Sequence, residues 1–393
     1  MAKYLKIVAG IVLFVVFAIL MGRFLPTPVF YSDFMCLYHA LLAWSKGFSF
    51  YDFAQQQKLM FETTQFSQPQ FNIQLFQYFP YPPWYAGFTF FLLWLPYDWA
   101  YHTWTIINVG LLVLSANLLS ARQNPRIRPL AVAAAIFYFP SLGLIVVGNY
   151  TLPVLLGGAL FIYAARKEES ILAAVGIALM TFKPHIGIFM ALFAFGWLWL
   201  QKTVFARNAR WMSIIAGLIL GLIGFMIEPQ WIISFPRSIY LFQTSSYMHA
   251  CTYCISLSNI LMGLVNSQAN PNSSGLLSLL LLAIALILVW LRRTDVFSSV
   301  EKMMSVAVAL TAVGLSYMVH YDFVILLIPL LLLFFREKNS KARFLYILLY
   351  LLPWLRIFSD LTGNIILTLT GIAIFARLLL PDDFLKRLSQ SKA

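Results

Sequence analysis

The chain has 393 residues, of which 61% are apolar, 17% aromatic and only 10% charged. A soluble core cannot bury that much apolar surface, so a water-soluble enzyme on a single anchor is excluded and an all-α polytopic membrane protein is expected. The formal net charge of +13 does not point to nucleic acid, because the Lys and Arg residues stand in short loops between apolar runs and not along one stripe, as in cytoplasmic loops.

A membrane helix needs roughly 20 apolar residues to cross about 30 Å of hydrocarbon, and about 12 such stretches can be laid along this sequence. The first, Ile7 to Met21, follows Lys3 and Lys6 and runs into Arg23 and Pro26 without a small-residue cleavage site, so it reads as a retained helix. Basic groups at Arg122/Arg126/Arg128, Arg166/Lys167, Lys202/Arg207/Arg210, Arg292/Arg293, Arg336/Lys338/Lys341/Arg343 and Lys386/Arg387/Lys392 mark cytoplasmic ends. The polar turns between them, together with Asp33, then fall on the opposite face.

The first outer loop, residues 23–83, opens on Tyr31-Ser32-Asp33-Phe34. Leu37, Ala40, Leu41 and Trp44 follow at helical spacing, which predicts a helix lying along the interface. Asp33 is either the cap of that helix or a base at the membrane surface, and one carboxylate can serve as both. Tyr51-Asp52 comes after Gly47, and Tyr78-Phe79-Pro80-Tyr81-Pro82-Pro83-Trp84 is a stiff run that delivers the chain to the next apolar segment in a fixed pose. Trp84 to Leu95 is only about 18 Å of helix, so it either dips without crossing or places Arg122 on the outer side.

Further on, Gly148-Asn149-Tyr150 forms an outer turn. Ser170 to Leu200 is short for two crossings and breaks at Lys183-Pro184, leaving the lysine below the headgroups or in a cavity. At the membrane centre an uncompensated lysine costs roughly 2.5–3.5 kcal/mol, so Lys183 either meets an anion such as a lipid phosphate or snorkels to the surface. The second outer loop, residues 228–275, holds Arg237, a second phosphate-binding candidate or a solvated loop arginine, and Cys251-x-x-Cys254, a local disulfide or an incidental pair. His320-Tyr321-Asp322 interrupts an apolar stretch; the histidine can donate to a phosphate or move a proton, and Asp322 can orient a neighbour.

No Asp or Glu stands mid-span and no internal repeat is visible, which argues against an ion-coupled transporter; a glycolipid or polysaccharide transporter and a ligase or phosphatase acting on the same lipids are the rival readings. No phosphate-cradling glycine loop of a nucleotide-sugar fold is present.

The Asp33 loop, Tyr51-Asp52, Tyr81-Pro82-Pro83, Gly148-Asn149, Lys183-Pro184 and His320-Tyr321-Asp322 stand in an order that resembles the family-87 glycosyltransferases, the polyprenol-phosphate-mannose-dependent mannosyltransferases of the GT-C type. The resemblance runs from Asp33 to Pro329, and a more distant likeness extends to the dolichyl-phosphate-glucose glucosyltransferases. It implies one GT-C-like integral-membrane domain over 1–393, with about 12 transmembrane helices and interfacial helices in the first outer loop. The resemblance implies Asp33 as the general base; read from the residues, Lys183 and His320, then Arg237, are the candidates for the donor phosphate, and Tyr51, Asp52, Tyr81, Asn149 and Asp322 are the candidates for substrate binding. The implied partners are a polyprenyl-phosphate-sugar donor, a lipid or glycan acceptor and membrane lipids, with no cofactor and no metal. The implied place is the extracytoplasmic face of a bacterial inner membrane. Two departures stand out: Asn149 follows the glycine where the family commonly has Gln, and Tyr321 separates the His-Asp pair.

Overall fold

The computed structural model describes residues 33–64, 79–243, 256–265, 271–315 and 318–380. The expected first span, the Cys251/Cys254 pair and the basic group at Lys386/Arg387/Lys392 lie outside the described residues. Among the described residues the fold is 83% helix with no strand, as the composition predicts.

In chain order the helices are α1 (Asp33–Ser45), α2 (Phe53–Thr64), α3 (Trp84–Thr89), α4 (Tyr97–Leu119), α5 (Arg128–Ile136), α6 (Phe139–Val147), α7 (Leu152–Lys167), α8 (Ser170–Met180) and α9 (Pro184–Leu200). They continue as α10 (Val204–Ile227), α11 (Trp231–Gln243), α12 (Leu257–Val265), α13 (Pro271–Leu291), α14 (Arg293–Val296), α15 (Val300–Gly314), α16 (Leu327–Arg336), α17 (Ser340–Leu351) and α18 (Asp360–Leu379). Short 3₁₀ segments cover Phe90–Trp94, His320–Leu326 and Leu352–Ile357.

Among the described residues three helices are long and apolar enough to cross a membrane: Tyr97–Leu119, Val204–Ile227 and Thr362–Leu379. The pair α5 and α6, bent by 59° at its break, makes a fourth if it is taken as one span. Other apolar stretches are helices of 10–17 residues, among them α8 and α9, separated at Lys183.

The residues gather in two compact units. The first comprises Met1–Leu111, Leu144–Tyr150 and Gly221–Tyr247; the second comprises Leu112–Gly143, Thr151–Leu220 and Met248–Ala393.

In the first unit α1 is enclosed over its first nine residues, Asp33 to Leu41, and the side chains of Phe34, Leu37 and Leu41 are wholly buried. A helix lying half-immersed along an interface keeps one wet face. Here the rings of Tyr97 and Tyr101 pack on Phe34 at 5.6 and 5.5 Å, and α1 is a core element of the unit. The stiff proline run delivers α3, which passes into the 3₁₀ turn and ends before Pro96. Gly87 permits its close packing, since a Cβ there would lie 2.7 Å from Ile223.

In the second unit α7 and α8 form a hairpin whose backbones touch. A Cβ at Gly157 would stand 2.6 Å from the Gly176 carbonyl oxygen, so any larger residue pushes the helices apart. Gly187, in the first turn of α9, similarly lies against the carbonyl of Met180, which keeps the break at Lys183 tight. Helix α15 is buried along nearly its whole length and starts on Ser299, whose hydroxyl accepts the Lys302 N–H at 3.2 Å. At the start of α15, Glu301 accepts from Arg166 at 2.7 Å and from Arg122 at 3.2 Å. Arg122 and Arg166 therefore share one end of this unit.

Candidate functional site

Asp33 is the first residue of α1 and only 4% exposed. Asn149 Nδ2 donates to Asp33 Oδ2 at 2.7 Å, and the Tyr150 hydroxyl donates to the Asp33 backbone carbonyl. An acid in the first turn of a helix also gains from the partial positive charge of that terminus. Asp33 thus begins the helix, and its carboxylate is oriented by a side-chain amide.

The turn that carries Asn149 is held by one face of α4. Tyr101, Trp104 and Asn108, spaced three and four apart, donate in turn to the carbonyls of Val146 at 2.6 Å, Gly148 at 2.8 Å and Asn149 at 3.4 Å. Gly148 adopts a left-handed conformation, φ +65°, and a Cβ there would lie 2.7 Å from Phe34 Cβ. The Gly-Asn dipeptide is thus required by geometry: the glycine for backbone conformation and approach, the asparagine to reach the carboxylate.

Beside this pair in the same unit lies an aromatic cluster. The Tyr150 ring meets those of Phe79, Tyr81 and Tyr85 at 5.1, 5.0 and 5.6 Å, all edge-on. Tyr51 donates its hydroxyl to the Tyr81 carbonyl at 2.8 Å, so the structure joins two residues that the sequence offered separately. Burial, and then the Glu228 carboxylate, raise the Tyr51 phenol above its ordinary pKa. Asp52 accepts the Gln55 N–H at 3.1 Å and serves as the cap of α2. Arg237 is exposed on α11.

The second unit holds the other candidates. Lys183 precedes α9, only 1% exposed, and its Nζ lies 2.5 Å from Asp322 Oδ1. The Thr151 hydroxyl accepts from Lys183 at 3.1 Å and donates to Asp322 Oδ1 at 2.7 Å. Asp322 Oδ2 accepts the Val319 N–H at 3.2 Å, so the carboxylate is oriented at both oxygens. The sequence asks for an anion near Lys183, and the structure supplies one from within the chain, beside the Tyr321 ring at 5.5 Å from the ammonium. His320 is half-buried; a Cβ on Gly143 would come within 2.7 Å of its Nε2, and its buried Nδ1 has no hydrogen-bond partner among the described residues.

Three contributors escaped the sequence reading. Thr151 bridges the buried ion pair, yet before Leu152-Pro153 it resembles an ordinary helix-start threonine. Tyr150 ties down Asp33 through a hydroxyl that sequence alone cannot aim. Glu228, 7% exposed, accepts from the Ser49 hydroxyl at 2.7 Å and the Phe50 N–H at 2.9 Å, and so fixes the turn before Tyr51. An acid between Ile227 and Pro229, at the end of an apolar run, was the available signal.

Two arrangements thus stand out: a buried carboxylate oriented by an amide on a tyrosine-rich wall, and a buried lysine–carboxylate–threonine cluster with a histidine two residues before the carboxylate. The first can accept a proton; the second places cationic and proton-donating groups in one segment. No curated protein and no solved structure matches the chain. The model of glycosyltransferase family 87 matches residues 79–355, more than two thirds of the chain, and takes in Tyr81, Asn149, Lys183, Arg237, His320 and Asp322, with Asp33, Tyr51 and Asp52 upstream. Its apolar helices and this match together make it a membrane protein that transfers a sugar from a donor to an acceptor. The chain belongs to glycosyltransferase family 87.

Proposed function

We propose that the protein moves a hexose, mannose in the first instance, from a polyprenyl-phosphate donor to a lipid-linked or glycan acceptor on the extracytoplasmic face of a bacterial inner membrane. The architecture proposed for it is the GT-C type, with about 12 spans once every apolar stretch is counted. The observation that carries the reading is the Asp33–Asn149 contact in a chain of this family.

In the proposed reaction, Asp33 takes the proton of an acceptor hydroxyl as that oxygen attacks the anomeric carbon. The bond between the anomeric carbon and the phosphate oxygen breaks on the opposite side, the electron pair leaves with polyprenyl phosphate, and the anomeric configuration inverts. A placed base supplies roughly 10² to 10⁴ in rate, so alignment of the acceptor and stabilisation of the departing phosphate must supply the remainder. Lys183 and His320 in the first place, and Arg237 in the second, are assigned to the phosphate. For His320 the support is its unpartnered Nδ1, which has a proton or a lone pair to offer an incoming ligand. For Lys183 the assignment adds a task to its pairing with Asp322 and Thr151. Tyr51, Asp52, Tyr81, Asn149 and Asp322 are proposed to shape the substrate site, Asn149 and Asp322 by orienting Asp33 and Lys183.

The test is incubation of the purified protein with radiolabelled polyprenyl-phosphate-mannose and membrane glycolipid acceptors. The reading expects label on a new acceptor and release of polyprenyl phosphate, undiminished by EDTA. Label that crosses a bilayer while still attached to its lipid would replace the transferase reading with transport.

A further inference from the structure

Within the second unit lies a cavity of about 690 Å³ between the ends of α4, α7, α15, α16 and α18, lined by neither Lys183 nor His320. At about 30 Å³ per water it holds on the order of twenty waters, far more than a lone ion requires. Its polar lining carries Arg122, Arg166, Lys302, Arg336 and Arg377 against Asp295, Glu301 and Glu337.

The pairing inside the cavity leaves a cationic surplus. Asp295 takes Lys302 at 2.6 Å and Glu337 faces Arg377 at 3.8 Å, whereas Glu301 is shared by Arg166 and Arg122. Arg336 is exposed and has no acid within ion-pairing distance among the described residues. Five cations against three carboxylates is an excess of two charges. Arg166 supplies a second, independent sign: its side chain is only 8% exposed, its Nε is spent on Glu301, and its buried Nη1 has no hydrogen-bond partner among the described residues. Arg166 is one of the residues that line the cavity, and a buried guanidinium nitrogen without an acceptor is short of one oxygen.

The remaining wall is apolar, with Leu332, Leu333 and Phe335 beside the cations. Arg122, Arg166 and Arg336 belong to the basic clusters that mark the cytoplasmic side by charge bias, opposite the face proposed for transfer. We propose that this cavity binds two phosphodiester groups, each with one negative charge, and that their source is the headgroup of a dianionic phospholipid of the cytoplasmic leaflet. Two phosphates would neutralise the two surplus charges, one oxygen would meet Arg166 Nη1, and the leucine and phenylalanine wall would receive the start of the acyl chains. Basic pockets between membrane helices bind such headgroups by the same combination.

The experiment measures the thermal midpoint of the purified full chain in neutral detergent during titration with three probes: a short-chain diphosphate lipid (cardiolipin type), a short-chain phosphatidylcholine and inorganic phosphate. The expected result is saturable stabilisation by the dianionic lipid alone, with apparent affinity reduced about fivefold or more by Arg336→Gln and by Arg166→Gln. Arg336→Gln is the clean variant, because an exposed side chain without an acid partner carries no folding role. Arg293→Gln, which removes a cation stacked on Trp290 outside the cavity, should leave the titration unchanged. Equal stabilisation by phosphatidylcholine, or titrations indifferent to both cavity substitutions, would overturn the site. Equal stabilisation by inorganic phosphate would overturn the lipid assignment.

Discussion

Replacing Lys183 by Met is expected to weaken the protein before it weakens the reaction. The ammonium and Asp322 are each 1% exposed and 2.5 Å apart, so Lys183→Met leaves a carboxylate with the Thr151 hydroxyl and the Val319 N–H but without its counter-charge. Removing one partner of a buried pair costs about 3–5 kcal/mol, most of it the burden of the stranded charge. Adding Asp322→Asn removes that charge while keeping an amide oxygen to accept from Thr151 or Val319, so the double variant should lose only about 1–2 kcal/mol. Denaturant unfolding of the purified chains should therefore find the double variant about 2–3 kcal/mol more stable than Lys183→Met. Lys183→Met within about 1 kcal/mol of wild type, or a double variant no better than the single, would refute the reasoning. The double variant is also the one on which to measure donor affinity, since it lacks the ammonium but keeps the fold.

Asn149→Ala removes the donor to Asp33 and should lower kcat by roughly tenfold while leaving donor KM near wild type, checked by steady-state transfer kinetics. Gly148→Ala should be worse, because it adds a left-handed strain of about 1–2 kcal/mol to a clash with Phe34; a thermal midpoint equal to wild type would contradict the geometry. His39 donates through Nδ1 to the Met35 carbonyl at 2.7 Å and lies 2.6 Å from the Thr63 hydroxyl, and burial lowers its pKa to about 4. The unfolded chain therefore binds the proton first: this contribution to stability is fully present above pH about 6.5 and falls by about 3 kcal/mol as pH drops toward 4. His39→Gln should flatten that part of the pH–stability curve, and an unchanged slope would remove His39 as its cause.

The helical class was legible because apolar composition leaves a membrane chain few other ways to satisfy its backbone. The break at Lys183-Pro184 was legible for a local reason, since proline fits the first turn of a helix and not its interior. The enclosure of α1 was not: Leu37, Ala40, Leu41 and Trp44 describe one apolar face, and only the packing of Tyr97 and Tyr101 reveals that the other faces are covered too. At the candidate site, Asp33, Asn149, Lys183 and Asp322 were nameable because polar residues are rare in such a sequence. Their pairing was not, because the partners are separated by 116 positions for Asp33–Asn149 and 139 for Lys183–Asp322. The cavity lined by Arg166 was hidden for a related reason: its cations stand near the ends of elements far apart in the chain, and charge bias already accounts for Arg122, Arg166 and Arg336.

The central claim is that Asp33 removes the acceptor proton. The direct test is the initial rate of sugar transfer from polyprenyl-phosphate-mannose by purified wild type and Asp33→Asn, with unfolding midpoints recorded for both. The account predicts a folded variant slower by roughly 10² to 10⁴ at unchanged donor affinity. A folded variant that transfers at the wild-type rate would contradict it.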